Sequence, residues 1–220
     1  MKSVAIGLHL RAEDVEGIAE ATAASGLIVS GLSLPDDQPL GDRDLLLRIA
    51  DVRARLLERA TFIAVRYGFT FRSAADAGAK IAANAQRWCK ILEENRTRVE
   101  LTLKVVADVG PALSRPGPAG EPALRRSGAD YLRALYAAKN AASIDDRFRH
   151  AVEERLGRLC AAQRWITRDA SSIEFAGLVE RDRLDAVAQA GEALKRDHPG
   201  VPFLLSAPWP LEVFADVDRQ

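Results

Sequence analysis

The residues able to do chemistry are scattered. The three histidines, His9, His150 and His198, and the two cysteines, Cys89 and Cys160, stand apart in the chain. None falls at metal-ligand spacing, and two distant thiols cannot close a zinc site. The acidic pairs Glu93-Glu94, Asp145-Asp146 and Glu153-Glu154 are sequence neighbours. On a helix such neighbours point in different directions, which suits solvated faces better than acid–base dyads. Neither G-x-x-x-x-G-K-[ST] nor G-x-G-x-x-G occurs, so no phosphate-cradling loop is offered. The sequence therefore nominates no catalytic, cofactor-binding or metal-binding residue, and it predicts a protein that is not an enzyme.

Two stretches suit a different chemistry, contact with another polypeptide. The first is RYGFTFR, residues 66–72, a strand end and turn with three aromatics. The second is Pro208-Trp209-Pro210, where two prolines restrict the backbone around an indole. Each aromatic can plug the local core, or form a rigid anchor of the kind that dominates interfaces. Arg66, Tyr67, Phe71, Pro208, Trp209 and Pro210 are the candidate protein-binding residues.

Charge excludes some partners. Lys plus Arg is 31 and Asp plus Glu is 31, for a formal net charge of zero. Nothing suggests the basic field of a nucleic-acid binder. Arg147, Arg149, Arg155, Arg158 and Arg164 are nearly balanced by Asp145, Asp146, Glu153 and Glu154, a solvated face rather than an RNA surface. The opening residues lack a signal-peptide cleavage pattern, and no apolar run reaches the roughly 18 residues of a membrane span. A cytoplasmic protein with free, buried thiols is expected.

The elements that must carry these residues can be read from periodicity. Residues 4–10 read as a buried strand. Val15, Ile18, Ala19 and Thr22 recur at helical spacing, with Gly26 as the stop. Residues 27–34 read as a second strand, and Leu45, Ile49, Val52 and Leu56 as one face of a helix. Residues 61–67 are β-branched and aromatic, a third strand. Ser73 with Asp76 starts a helix to about Asn95 along Ala77, Ile81, Ala85, Trp88 and Ile91. Val99, Leu101, Leu103 and Val105 alternate with Glu100, Thr102 and Lys104, which predicts a half-buried strand with Glu100 outward. Residues 108–122 are a Pro/Gly-rich loop.

A long helical region follows from Ser127, with a second cap signal at Ser143 and Asp146 that leaves a break open. If continuous to Cys160 it would span roughly 45–50 Å. Residues 165–168 and 172–180 are strand candidates, 184–194 a helix, and 201–206 a final strand. The order is α+β: two ferredoxin-like-type units, the C-terminal one with a long coiled-coil-like helix. The domain boundary is expected between a 1–72 N-terminal and a 73–220 C-terminal domain.

Several blocks together resemble the GvpF/GvpL gas-vesicle family. They are AVRYGFTFRS at 64–73, NRTRVELTLKVV at 95–106, Tyr131-Leu132-Arg133, FAGLVERDR at 175–183 and SAPWPLEVF at 206–214. The last is similar to a family motif TGPWPPYSF, with Ser206-Ala207 for Thr-Gly and Leu211-Glu212-Val213 for Pro-Tyr-Ser. Ala64 stands where proline is common, and Asp51 near a frequent histidine. The resemblance implies a non-catalytic accessory protein of gas-vesicle assembly, located in the cytoplasm and at the vesicle. It implies binding to the hydrophobic shell protein GvpA or to other Gvp proteins, with no cofactor, nucleic acid or membrane. The alternative from the fold alone is a small-molecule-binding or enzymatic ferredoxin-like protein, which would need a polar pocket with a perturbed titratable group.

Overall fold

The computed structural model describes residues 1–106, 145–169 and 172–215. The chain is mixed α/β and forms two compact units. The first comprises Met1–Glu100, Leu178–Arg181 and Ala207–Gln220, and the second Leu101–Gly177 and Asp182–Ser206.

The first unit is built on an antiparallel sheet in the order β2-β3-β1-β4, with β5 also beside β1. Strand β1 is Lys2–His9 and β3 is Leu27–Leu34. They pair from Lys2↔Leu34 to His9↔Ile28, with a register shift between Ala5 and Gly7. The expected helix over 15–22 is not formed. A short 3-10 turn at Ala12–Asp14 is followed by strand β2, Glu20–Ala24, which pairs with β3. The turn between them is Ser25-Gly26, with φ of 49° and 81°. Positive φ at both central residues is what a two-residue hairpin requires. Four positions at helical spacing did not outweigh a neighbouring strand edge. Gly26 turns a hairpin rather than ending a helix.

Helix α1, Arg43–Arg59, buries Leu45, Ile49, Val52, Leu56 and Leu57, and Asp42 caps it by accepting the Asp44 N–H. Strands β4, Ile63–Ala64, and β5, Thr70–Phe71, both run antiparallel to β1. The expected 74–95 helix is two. Helix α2 is Ala74–Ile81, with the Ser73 side chain accepting the Asp76 N–H. Helix α3 is Ala85–Glu94. The expected face keeps its phase across the break, with Ala77, Ile81, Ala85 and Trp88 all buried, and the next buried position is Leu92, i+4 from Trp88, with Ile91 half-buried.

Strands β6, Arg98–Val106, β7, Cys160–Asp169, β8, Ser172–Glu180, and β9, Phe203–Trp209, form a second sheet in the order β7-β8-β6-β9. Val99, Leu101, Leu103 and Val105 are buried as the alternation predicts, but so is Glu100, at 2% exposure. In the second unit, helices α4, Asp146–Arg155, and α5, Leu184–Asp197, are tied by Arg155 to Asp197. Phe148 of α4 is fully buried, with ring centroids 5.2 Å from His198 and 5.4 Å from Phe203. Trp165 of β7 donates to Glu153 at 2.8 Å, and its ring meets Phe175 at 5.2 Å. A helix continuing to Cys160 is not formed. Asp145 caps α4, α4 ends at Arg155, and a 3-10 turn at Gly157–Leu159 leads into β7. The 127–144 part of the expected long helix and the 108–122 loop lie outside the described residues.

Candidate partner-binding site

The two aromatic motifs both belong to the first unit. The C-terminal segment is fixed there by its backbone. Leu211 donates its N–H to the Phe62 carbonyl and accepts from the Ala64 N–H, each at 2.9 Å. That makes a parallel bridge between Ile63 and Leu211. Beyond it, one carboxylate holds the chain. Glu100 accepts the N–H groups of Glu212 at 2.8 Å, Val213 at 3.0 Å and Phe214 at 2.8 Å. Arg87 then donates to the Ala215 carbonyl at 2.6 Å. Burial pushes the Glu100 carboxyl above the usual range. The three amides and the nearby Glu212 charge modify that shift in opposite directions.

This anchoring sorts the candidate residues. Pro210 and Leu211 are buried, whereas Pro208 is exposed and Trp209 is 49% exposed. The Ala207–Pro208 peptide is cis. In the other motif, Phe69 donates its N–H to the Arg66 carbonyl, closing a turn in which Gly68 has φ of 94°. Lys80 braces the turn, donating to the Thr70 carbonyl at 2.6 Å and lying 5.7 Å from the Phe69 ring centroid. Arg66 is exposed and Tyr67 is 38% exposed, whereas Phe71 is buried under β3. The Ile63–Leu211 bridge sets the C-terminal segment beside the strand that leads into the second motif.

Three polar residues that sequence reasoning did not single out support this arrangement. Glu100 stands at an outward position of the β6 alternation, and no local pattern marks it otherwise. His9 is fully buried, 2.9 Å from the Ser30 hydroxyl and stacked on Phe62 at 5.0 Å. Burial lowers its pKa to about 4, so the ring is neutral at physiological pH. Arg181 donates to the Leu57 carbonyl at 2.6 Å and to Thr61 Oγ1. Beside it, Arg98 pairs with Glu180 at 2.6 Å. Their sequence block, FAGLVERDR, was singled out for its order and not for this role. Cys160 Sγ lies 3.1 Å from the Leu156 carbonyl, and burial raises the thiol's pKa to about 11. Among the described residues no group of three His, Cys, Asp or Glu side chains is arranged to hold a metal ion.

The family model for gas vesicle synthesis protein GvpL/GvpF matches residues 10–215, nearly the whole chain and all of the anchoring just described. The chain belongs to the GvpL/GvpF family. Its fold is similar to the crystal structure of the gas vesicle protein GvpF from Anabaena sp. PCC7120, with a TM-score of 0.68 over 100% of both chains at 12% identity. It is equally similar to that of GvpF from Microcystis aeruginosa, with a TM-score of 0.68, 10% identity and coverage of 98% of this chain and 99% of the other. No curated protein sequence matches it. At such identity the structural likeness speaks for the fold, and the family match for the gas-vesicle context. As a GvpL/GvpF protein, the chain carries its closing Pro-Trp-Pro motif on a segment clipped down at Leu211–Ala215. Among the described residues no helix is long and apolar enough to cross a membrane.

Proposed function

We propose that this GvpL/GvpF protein is a non-catalytic assembly factor that binds the hydrophobic shell protein GvpA, or other Gvp proteins, while gas vesicles form. The observation that carries the reading is the family match over residues 10–215. The exposed aromatics give it a physical form. Trp209 and Tyr67 stand on backbone already ordered by Glu100, Leu211 and Lys80. A partner therefore meets rigid side chains whose ordering cost has been met on folding. Arg66 and Pro208 extend the two contact points; Phe71 and Pro210 hold them from below.

The finer fold reading belongs to the same proposal. The strand order β7-β8-β6-β9, with α5 between β8 and β9, supports a ferredoxin-like second unit. The division between 1–72 and 73–220 stays a proposal about the first sheet, whose strands β1 to β5 and helix α1 lie within the first 72 residues, while the compact first unit runs on to Glu100 and takes in two later segments. The test is a pull-down of a co-expressed GvpA-type shell protein. Wild type should retain it, and folded Tyr67→Ala/Trp209→Ala should not. Equal retention by both would remove these residues from the interface.

A further inference from the structure

A cleft in the first unit gathers three guanidinium groups from three different elements. Its walls include Leu10 and Arg11 at the end of β1, Asp14 of the 3-10 turn, Arg59 at the end of α1, and Leu92 and Arg96 around the end of α3. Its volume is about 200 Å³. The chain as a whole has no net charge, yet this cleft has three arginines against one lining carboxylate. Arg59 is held in place by the Glu16 carbonyl, and Arg55 beside it by the Gly17 carbonyl at 3.3 Å. Arg96 makes no hydrogen bond or ion pair among the described residues. Asp14 lies in the field of Arg11 and Arg59, with Glu13 nearby, and burial still raises its pKa.

We propose that this cleft receives a carboxylate side chain presented by an acidic segment of a partner polypeptide. Guanidinium forks match carboxylates in geometry and charge. Phosphate would also answer the charge, but the Leu10 and Leu92 walls favour an anion carried on a methylene stem. Asp14 would then be the resident carboxylate that an incoming one works against. The inference rests on the reading of the chain as a polypeptide-binding assembly factor, and adds a second contact chemistry away from the aromatic motifs.

The test uses the full chain and fluorescein-labelled hexaglutamate, read by fluorescence anisotropy at low ionic strength, with inorganic phosphate as competitor. Saturable binding is expected. Arg11→Gln/Arg96→Gln should weaken it about fivefold or more, and Asp14→Asn should tighten it about twofold, the scale expected of exposed charge pairs. All three substituted side chains are surface-accessible, and circular dichroism checks that the fold is kept. Absence of binding, or binding unchanged in the double variant, overturns the proposal. Phosphate that displaces the peptide at concentrations well below the peptide's own dissociation constant overturns the choice of carboxylate. Shell-protein pull-down run in parallel separates the two claims. Retention of shell protein without hexaglutamate binding sinks the cleft alone. Hexaglutamate binding without retention of any Gvp protein sinks the assembly reading alone.

Discussion

Removing the Glu100 carboxylate tests how the C-terminal motif is held. In Glu100→Ala, the N–H groups of Glu212, Val213 and Phe214 lose the acceptor they share at 2.8–3.0 Å. Hydrogen bonds to a charged group contribute about 1.5–3 kcal/mol each, so three amount to roughly 5–9 kcal/mol gross. Against this stands the cost of burying the carboxylate, several kcal/mol, which the substitution removes. The net loss should be about 2–4 kcal/mol, a fall in Tm of roughly 5–15 °C for a protein of this size. Urea unfolding followed by circular dichroism measures the loss. Amide hydrogen exchange should show residues 212–214 opening first. A variant within about 0.5 kcal/mol of wild type, the range of ordinary surface substitutions, with those amides still protected, would refute the clip. The pH dependence has a definite sign. Because the Glu100 pKa is raised on folding, its contribution is fully present below the unfolded value near 4.5 and declines as pH rises through the folded pKa. Glu100→Gln should remove that decline. It should also lose stability at neutral pH, since its NH₂ group faces an N–H instead of accepting from it.

Other predictions follow from the same packing. His9 has a folded pKa of about 4 against 6.5 unfolded, so stability should fall as pH drops from 6.5 toward 4. The loss approaches about 3 kcal/mol at the acid end, seen as a stability slope in urea titrations that His9→Gln abolishes. Gly7→Ala would place its Cβ 2.4 Å from the Phe62 ring, on the residue whose carbonyl receives Leu211. It should cost about 1–3 kcal/mol by overpacking, read as a lowered urea midpoint. Phe148→Ala empties the fully buried ring site between α4 and β9 and should cost about 3–5 kcal/mol in the same assay. Trp209→Ala, on a half-exposed side chain, should cost about 1 kcal/mol or less in stability while reducing shell-protein retention.

Long periodic segments were legible in the sequence. Helix α1 and the apolar face of β6 were set by their periodicity, and in the strand a one-residue slip would carry the whole apolar set to the other face. The hairpin at Ser25-Gly26 was not, because residues 15–22 satisfy a helical period while pairing with β3 decides their state. The break at Ala82-Ala83-Asn84 was hidden because the apolar face continues in phase across it, from Ile81 to Ala85. Glu100 shows the deeper limit. A carboxylate on a strand reads as solvent-facing unless the donors are known, and its donors arrive from 112, 113 and 114 residues away. The family resemblance pointed to Pro208-Trp209-Pro210 as a motif. It carried no sign that Leu211, in place of a proline, would donate an N–H to Phe62.

The proposed contact of this GvpL/GvpF protein with other Gvp proteins runs through its C-terminal motif. The most direct measurement replaces Trp209 with a photo-reactive benzoylphenylalanine, co-expresses a GvpA-type shell protein and the other Gvp proteins, and maps the adducts by mass spectrometry. The same label at exposed Glu192 serves as the control. The account predicts adducts to a Gvp protein from position 209 and not from position 192. No adduct from 209, or equal labelling from both positions, would contradict it.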